Sequence, residues 1–82
     1  MITGMQIRAA RNALRWTTER LALAAGINAR TIKRFEQSDE VPPSRSSTLM
    51  DVKAALEAAG IEFIGSPDDG PGIRLRRQPP IA

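Results

Sequence analysis

Cysteine and histidine are both absent from this 82-residue chain. Without cysteine there is no disulfide framework. Without either residue, no thiolate or imidazole metal site can be built, and no Ser-His or Cys-His nucleophile pair is available. Carboxylates could still hold a hard cation, but no EF-hand spacing occurs. No metal, no cofactor and no enzymatic activity are therefore expected. Long apolar runs are missing too. Nothing approaches the roughly 20 apolar residues of a membrane span, and MITGMQIRAARN lacks the apolar core of a signal peptide. A cytoplasmic protein without membrane association is the expectation.

A chain of this length makes one small domain with a modest core. Its net charge is only +3, but the charge is unevenly placed. Residues 1–36 carry seven cations against two acids, a balance of +5. Residues 37–72 carry Arg45 and Lys53 against seven acids, a balance of −5, and Arg74, Arg76 and Arg77 follow. Such asymmetry favours an anionic partner on one face, against the plain alternative of scattered surface charge.

The most specific stretch is Thr17 to Glu36, TTERLALAAGINARTIKRFE. Thr17 suits an N-cap, and Glu19 suits the positive end of the helix that follows. Trp16 and Leu21 have the spacing of a hydrophobic staple. Leu21, Ala22 and Ala25 form an apolar stripe, and Gly26 stops the helix where a left-handed backbone is easiest. Asn28 caps a second helix in which Ile32 and Phe35 face inward. Arg30, Lys33 and Arg34 leave its other face cationic. Two short helices joined by a tight turn form the unit that lays its second helix in the DNA major groove. Neither helix is long enough to stand alone, so flanking helices must supply the core.

On these residues the segment resembles the Xre family of Cro/cI-type, lambda-repressor-like helix-turn-helix proteins. The matching positions are Thr17, Thr18, Leu21, Ala22, Ala25, Gly26, Ile27, Asn28, Thr31, Ile32 and Glu36. Ile7, Ala10, Arg11 and Leu14 match the family's first helix, and Thr48 to Gly60 its last, so the likeness covers about residues 4–64. One position departs: the family's usual Gln at the start of the second helix is Thr18 here, with less reach toward a phosphate. The resemblance implies a mainly α fold of four to five helices. It implies that Ala29, Arg30 and Arg34 face base edges. Arg is the usual reader of guanine, and the Ala29 methyl suits a thymine methyl. It further implies phosphate contacts from Thr17, Thr18, Asn28, Thr31, Lys33 and Arg45. Arg11 and Glu36 are implied to be a structural ion pair. Arg8 and Arg15, on the first helix, are weaker phosphate candidates.

Outside the motif, Thr3 can cap a first helix running to about Arg15. Residues 37–47, QSDEVPPSRSS, read as a loop. Thr48 and Asp51 have the spacing of a capping box with a shorter acid, and Leu49, Val52, Leu56 and Ala59 continue as a helical stripe. Residues 61–64 and 73–76 alternate around GSPDDGPG and predict a β-hairpin with a long loop. Ile61, Phe63, Ile73 and Leu75 would share one face. A lone hairpin is marginal in water, so this face either covers the core or pairs with a second copy. The organisation expected is a DNA-binding domain over 1–64, a hairpin extension over 61–77 that is a candidate dimerisation element, and a disordered tail over 78–82. The function expected is sequence-specific binding of double-stranded DNA by a homodimeric transcriptional repressor that occludes a promoter. No small-molecule ligand is expected. The alternative is an antitoxin-type module that neutralises a partner protein and regulates its own operon.

Overall fold

The computed structural model describes residues 1–76; the tail 78–82, expected to be disordered, lies outside the described residues. Four α-helices are followed by a two-stranded antiparallel hairpin. They are α1 (Gly4–Ala13), α2 (Thr18–Ala25), α3 (Ala29–Glu36) and α4 (Ser46–Ala58), then β1 (Ile61–Ser66) and β2 (Asp69–Leu75). No fifth helix occurs among the described residues, and none of the four is long and apolar enough to cross a membrane.

The core is built from the apolar stripes. Ile7 and Ala10 of α1, Leu21 and Ala22 of α2, Ile32 and Phe35 of α3, Leu49, Val52 and Leu56 of α4, and Ile61 of β1 form one buried cluster with Ile2. Leu14, Trp16, Ala25, Ile27, Phe63 and Ile73 pack around it. This shared interior is what holds two eight-residue helices that would not persist in isolation.

Each early helix start carries a cap. The Thr3 Oγ1 accepts from the Gln6 amide at 3.0 Å, and the Gln6 Oε1 accepts from the Thr3 amide at 2.8 Å, a complete capping box. Gly4 sits where a Cβ would run into the carbonyls of Phe35 and Ser38, so α1 begins directly against the end of α3. The Gly4 amide donates to Glu40 at 2.9 Å. This pins the 37–45 loop across the start of α1.

Three expectations change. First, α1 ends at Ala13 rather than near Arg15, because Arg15 turns left-handed at φ 58°. Second, α4 begins at Ser46 and not after Thr48. The Leu49 amide takes the Arg45 carbonyl at 3.2 Å, which extends the helix back a turn. Thr48 is therefore inside the helix, and the cap position falls to Arg45, which makes no side-chain cap bond. Third, the hairpin loop is short. Strand pairing runs Ile61 with Leu75, Glu62 with Arg74, Phe63 with Ile73 and Ile64 with Gly72, then shifts register to Ser66 with Asp69. Only Pro67 and Asp68 form the turn, and a bulge on β2, where Gly70 and Pro71 stand opposite the single Gly65, absorbs the odd residue.

Candidate nucleic-acid interface

The α2–α3 unit is positioned by its two caps and the turn between them. The Thr17 Oγ1 accepts from the Arg20 amide at 3.0 Å, and the Asn28 Oδ1 accepts from the Arg30 amide at 2.8 Å. Between the helices, Gly26 takes φ 72°. The Ile27 amide reaches back to Ala22 at 3.0 Å and the Gly26 amide to Leu23 at 3.3 Å. Both bonds belong to a Schellman stop, which fixes the angle at which α3 leaves α2.

Helix α3 is divided sharply. Ile32 and Phe35 are fully buried, while Arg30, Lys33 and Arg34 are exposed. Among the described residues no carboxylate pairs with Arg30 or Arg34. The Arg34 guanidinium lies 5.9 Å from the centre of the Phe35 ring. Lys33 differs: its Nζ sits 3.5 Å from the Glu19 carboxylate of α2. The Glu19 backbone amide, the Thr18 hydroxyl and Lys33 together hold the Glu19 carboxyl below the usual carboxylate range.

The remaining expected contact residues are placed as follows. Ala29 is half-buried and packs against the core, so only part of its methyl is presented outward. The Thr18 hydroxyl donates to Glu19 Oε1 at 3.0 Å. The oxygens of Thr17 and Asn28 already serve their caps. Thr31 is half-buried. Arg45 is exposed, at the cap of α4, and no carboxylate among the described residues pairs with it.

Arg11 and Glu36 are brought together behind this face. The Arg11 Nε and Nη2 donate to the two Glu36 oxygens at 2.8 and 2.9 Å, and Nη1 donates to the Trp16 carbonyl at 2.8 Å. The side chains are 17% and 8% exposed, so the pair is largely shielded from water. The Glu36 bond raises the Arg11 pKa further still, against the opposing effect of burial. The fork locks the end of α3 to α1 and to the turn before α2.

Arg8, a weaker phosphate candidate by sequence, has a structural role. Its Nη1 donates to the Glu36 carbonyl at 2.6 Å, and its Nη2 to Asp39 at 3.1 Å. A cation on the last carbonyls of α3 also suits the negative helix end. Gln6 went unnoticed in the sequence apart from its helix. Its Nε2 donates to the carbonyls of Gly72 at 2.9 Å and Ile64 at 3.3 Å, and so clamps the hairpin to α1. The signal was present: Thr3 followed by Gln6 has capping-box spacing.

The hairpin face splits in use. Ile61 is 3% exposed and belongs to the chain's own core. Phe63 and Ile73 lean on that core, while Leu75 remains 48% exposed. On the opposite face Arg76 and Arg74 approach Glu62 Oε1 at 2.6 and 3.4 Å, and Arg76 above all lowers the Glu62 pKa.

Neither the protein-family models nor the curated proteins compared with this chain give a match.

Proposed function

We propose that this protein binds double-stranded DNA in a sequence-specific manner and regulates transcription, with α3 as the reading element. The observation that carries this reading is the division of α3. One side is locked into the core. The other presents Arg30 and Arg34 without any carboxylate partner from the described chain, on a rod held by two caps and a Schellman stop. Arginine on a rigid helix is suited to the paired acceptors of guanine, and its exposed neighbours suit phosphates. The resemblance to Cro/cI-type repressors points the same way.

Occlusion of a promoter by a homodimer is the simplest mode of action for such a reading element. Half-sites would then lie about one helical turn apart. Selection of bound fragments from random duplexes tests the proposal. A palindromic or repeated motif is expected; recovery of unenriched sequence contradicts it.

One observation favours a second reading, a module that binds a partner protein. An apolar groove lined by Met1, Ile2, Leu49, Met50 and Lys53 opens beside α4, with Met1 and Met50 largely exposed. Co-expression with the product of an adjacent gene tests it. That reading expects a stable complex, and separate elution contradicts it.

A further inference from the structure

The structure assigns Arg15 a contact to the phosphate backbone of DNA, an inference that rests on the duplex-binding reading. Helices α1 and α2 end in the same way. After α2, the Gly26 amide bonds Leu23 and the Ile27 amide bonds Ala22. After α1, the Arg15 amide bonds Asn12 at 3.0 Å and the Trp16 amide bonds Arg11 at 3.0 Å. Both are Schellman stops, and both require one left-handed residue. In α2 that residue is glycine, at φ 72°; in α1 it is Arg15, at φ 58°. A residue with a Cβ is disfavoured there, and the fold gains nothing from having one.

Nor does the side chain bond to any described residue. Arg15 is exposed and makes no side-chain hydrogen bond, ion pair or ring contact among the described residues. An arginine held in a glycine position, and used by nothing among the described residues, has its partner outside. That partner is an anion.

The position says which anion. The turn carrying Arg15 is tied to the end of α3 by Arg11, which holds the Trp16 carbonyl and Glu36 together. The first turn of α2 is tied to α3 by Glu19 and Lys33. Arg20 adds a second cation here, its guanidinium 5.3 Å from the centre of the Trp16 ring. Arg15 and Arg20 therefore lie on either side of the start of α2, the helix whose first turn Glu19 and Lys33 tie to α3. A polyanion running past α3 is the partner this arrangement fits, and a guanidinium suits its phosphates.

Three variants test it: Arg15→Gly, Arg15→Ala and Arg15→Lys, each titrated against a selected duplex and a scrambled one over a range of salt. Arg15→Gly raises Tm by about 4 °C, because the left-handed strain is relieved; Arg15→Ala keeps the strain and leaves Tm near wild type. Both lower the slope of log K against log salt by about one, on both duplexes alike. Arg15→Lys restores the slope. Unchanged slopes in the Gly and Ala variants, with wild type binding normally, would overturn the assignment and leave the duplex-binding reading standing. A wild type that binds no duplex overturns both. A Gly variant no more stable than wild type overturns the argument from strain.

Discussion

The residue with most influence on the site does not reach out of the protein. Arg11 joins three chain segments through one guanidinium, and its carboxylate partner closes α3. Removing one member leaves the other's charge poorly solvated. Arg11→Ala or Glu36→Ala is expected to cost about 3 kcal/mol in urea unfolding. A combined exchange of both for apolar residues of similar volume is expected to cost less than either alone. Arg45 belongs to the opposite class, exposed and without a carboxylate partner among the described residues. Within the DNA-binding proposal, Arg45→Ala weakens binding equally on every duplex and lowers the salt slope by about one; a loss confined to one sequence contradicts it. Single residues were unevenly legible in the sequence. Caps and the Gly26 stop could be read because each rests on one residue's local chemistry. Arg8 could not, since its partners, Glu36 and Asp39, are remote in sequence and only the fold supplies them.

Among the elements, the hairpin depends most on a distant side chain. Gln6 caps α1 with its oxygen and holds both strands with its nitrogen, so two jobs meet in one buried amide. Gln6→Leu removes both, and a loss of about 1–3 kcal/mol is expected from the stranded Thr3 amide and strand carbonyls. Hydrogen exchange at Ile73 and nearby strand amides should rise in step. Exchange that stays at the wild-type rate contradicts the clamp. The Glu62 cluster adds a pH term. Because its folded pKa lies below the ordinary carboxylate value, its contribution is fully present above that value. It is lost as pH falls through the lowered folded pKa. Replacing Glu62 with Gln should flatten this part of the acid-side profile. Strand existence was legible from alternation at 61–64 and 73–76. The turn was not, because Gly, Pro and Asp signal a break in the chain without fixing its length, and strand pairing resumes beyond the Gly70–Pro71 bulge at Ser66 and Asp69. The start of α4 failed for a similar reason. Thr48 and Asp51 fit a cap locally, but Leu49 must reach the core and draws the helix back to Ser46.

For the whole molecule, the packing narrows how two copies could meet. Ile61 is committed to the interior and Phe63 and Ile73 lean on it, so the exposed Leu75 is the main apolar residue left on that face. If the proposed homodimer uses the hairpin, Leu75→Glu converts it to monomer in sedimentation equilibrium while the circular dichroism spectrum stays unchanged. A dimer that survives places the contact elsewhere. The charge asymmetry of the sequence has a spatial counterpart. Among the described residues, Arg15, Arg20, Arg30 and Arg34 have no carboxylate partner and belong to or border the α2–α3 unit, as Arg45 and Lys53 have none on α4 and its cap, whereas Arg74 and Arg76 of the hairpin are balanced by Glu62. The central claim is that α3 is the element that meets DNA. Mapping amide chemical shifts during titration with a selected duplex tests it most directly. The account predicts the largest changes at Asn28 through Arg34, with Arg15 and Arg45 next and the hairpin quiet. Changes concentrated on the hairpin or the acidic 37–41 segment, with α3 unmoved, would contradict it.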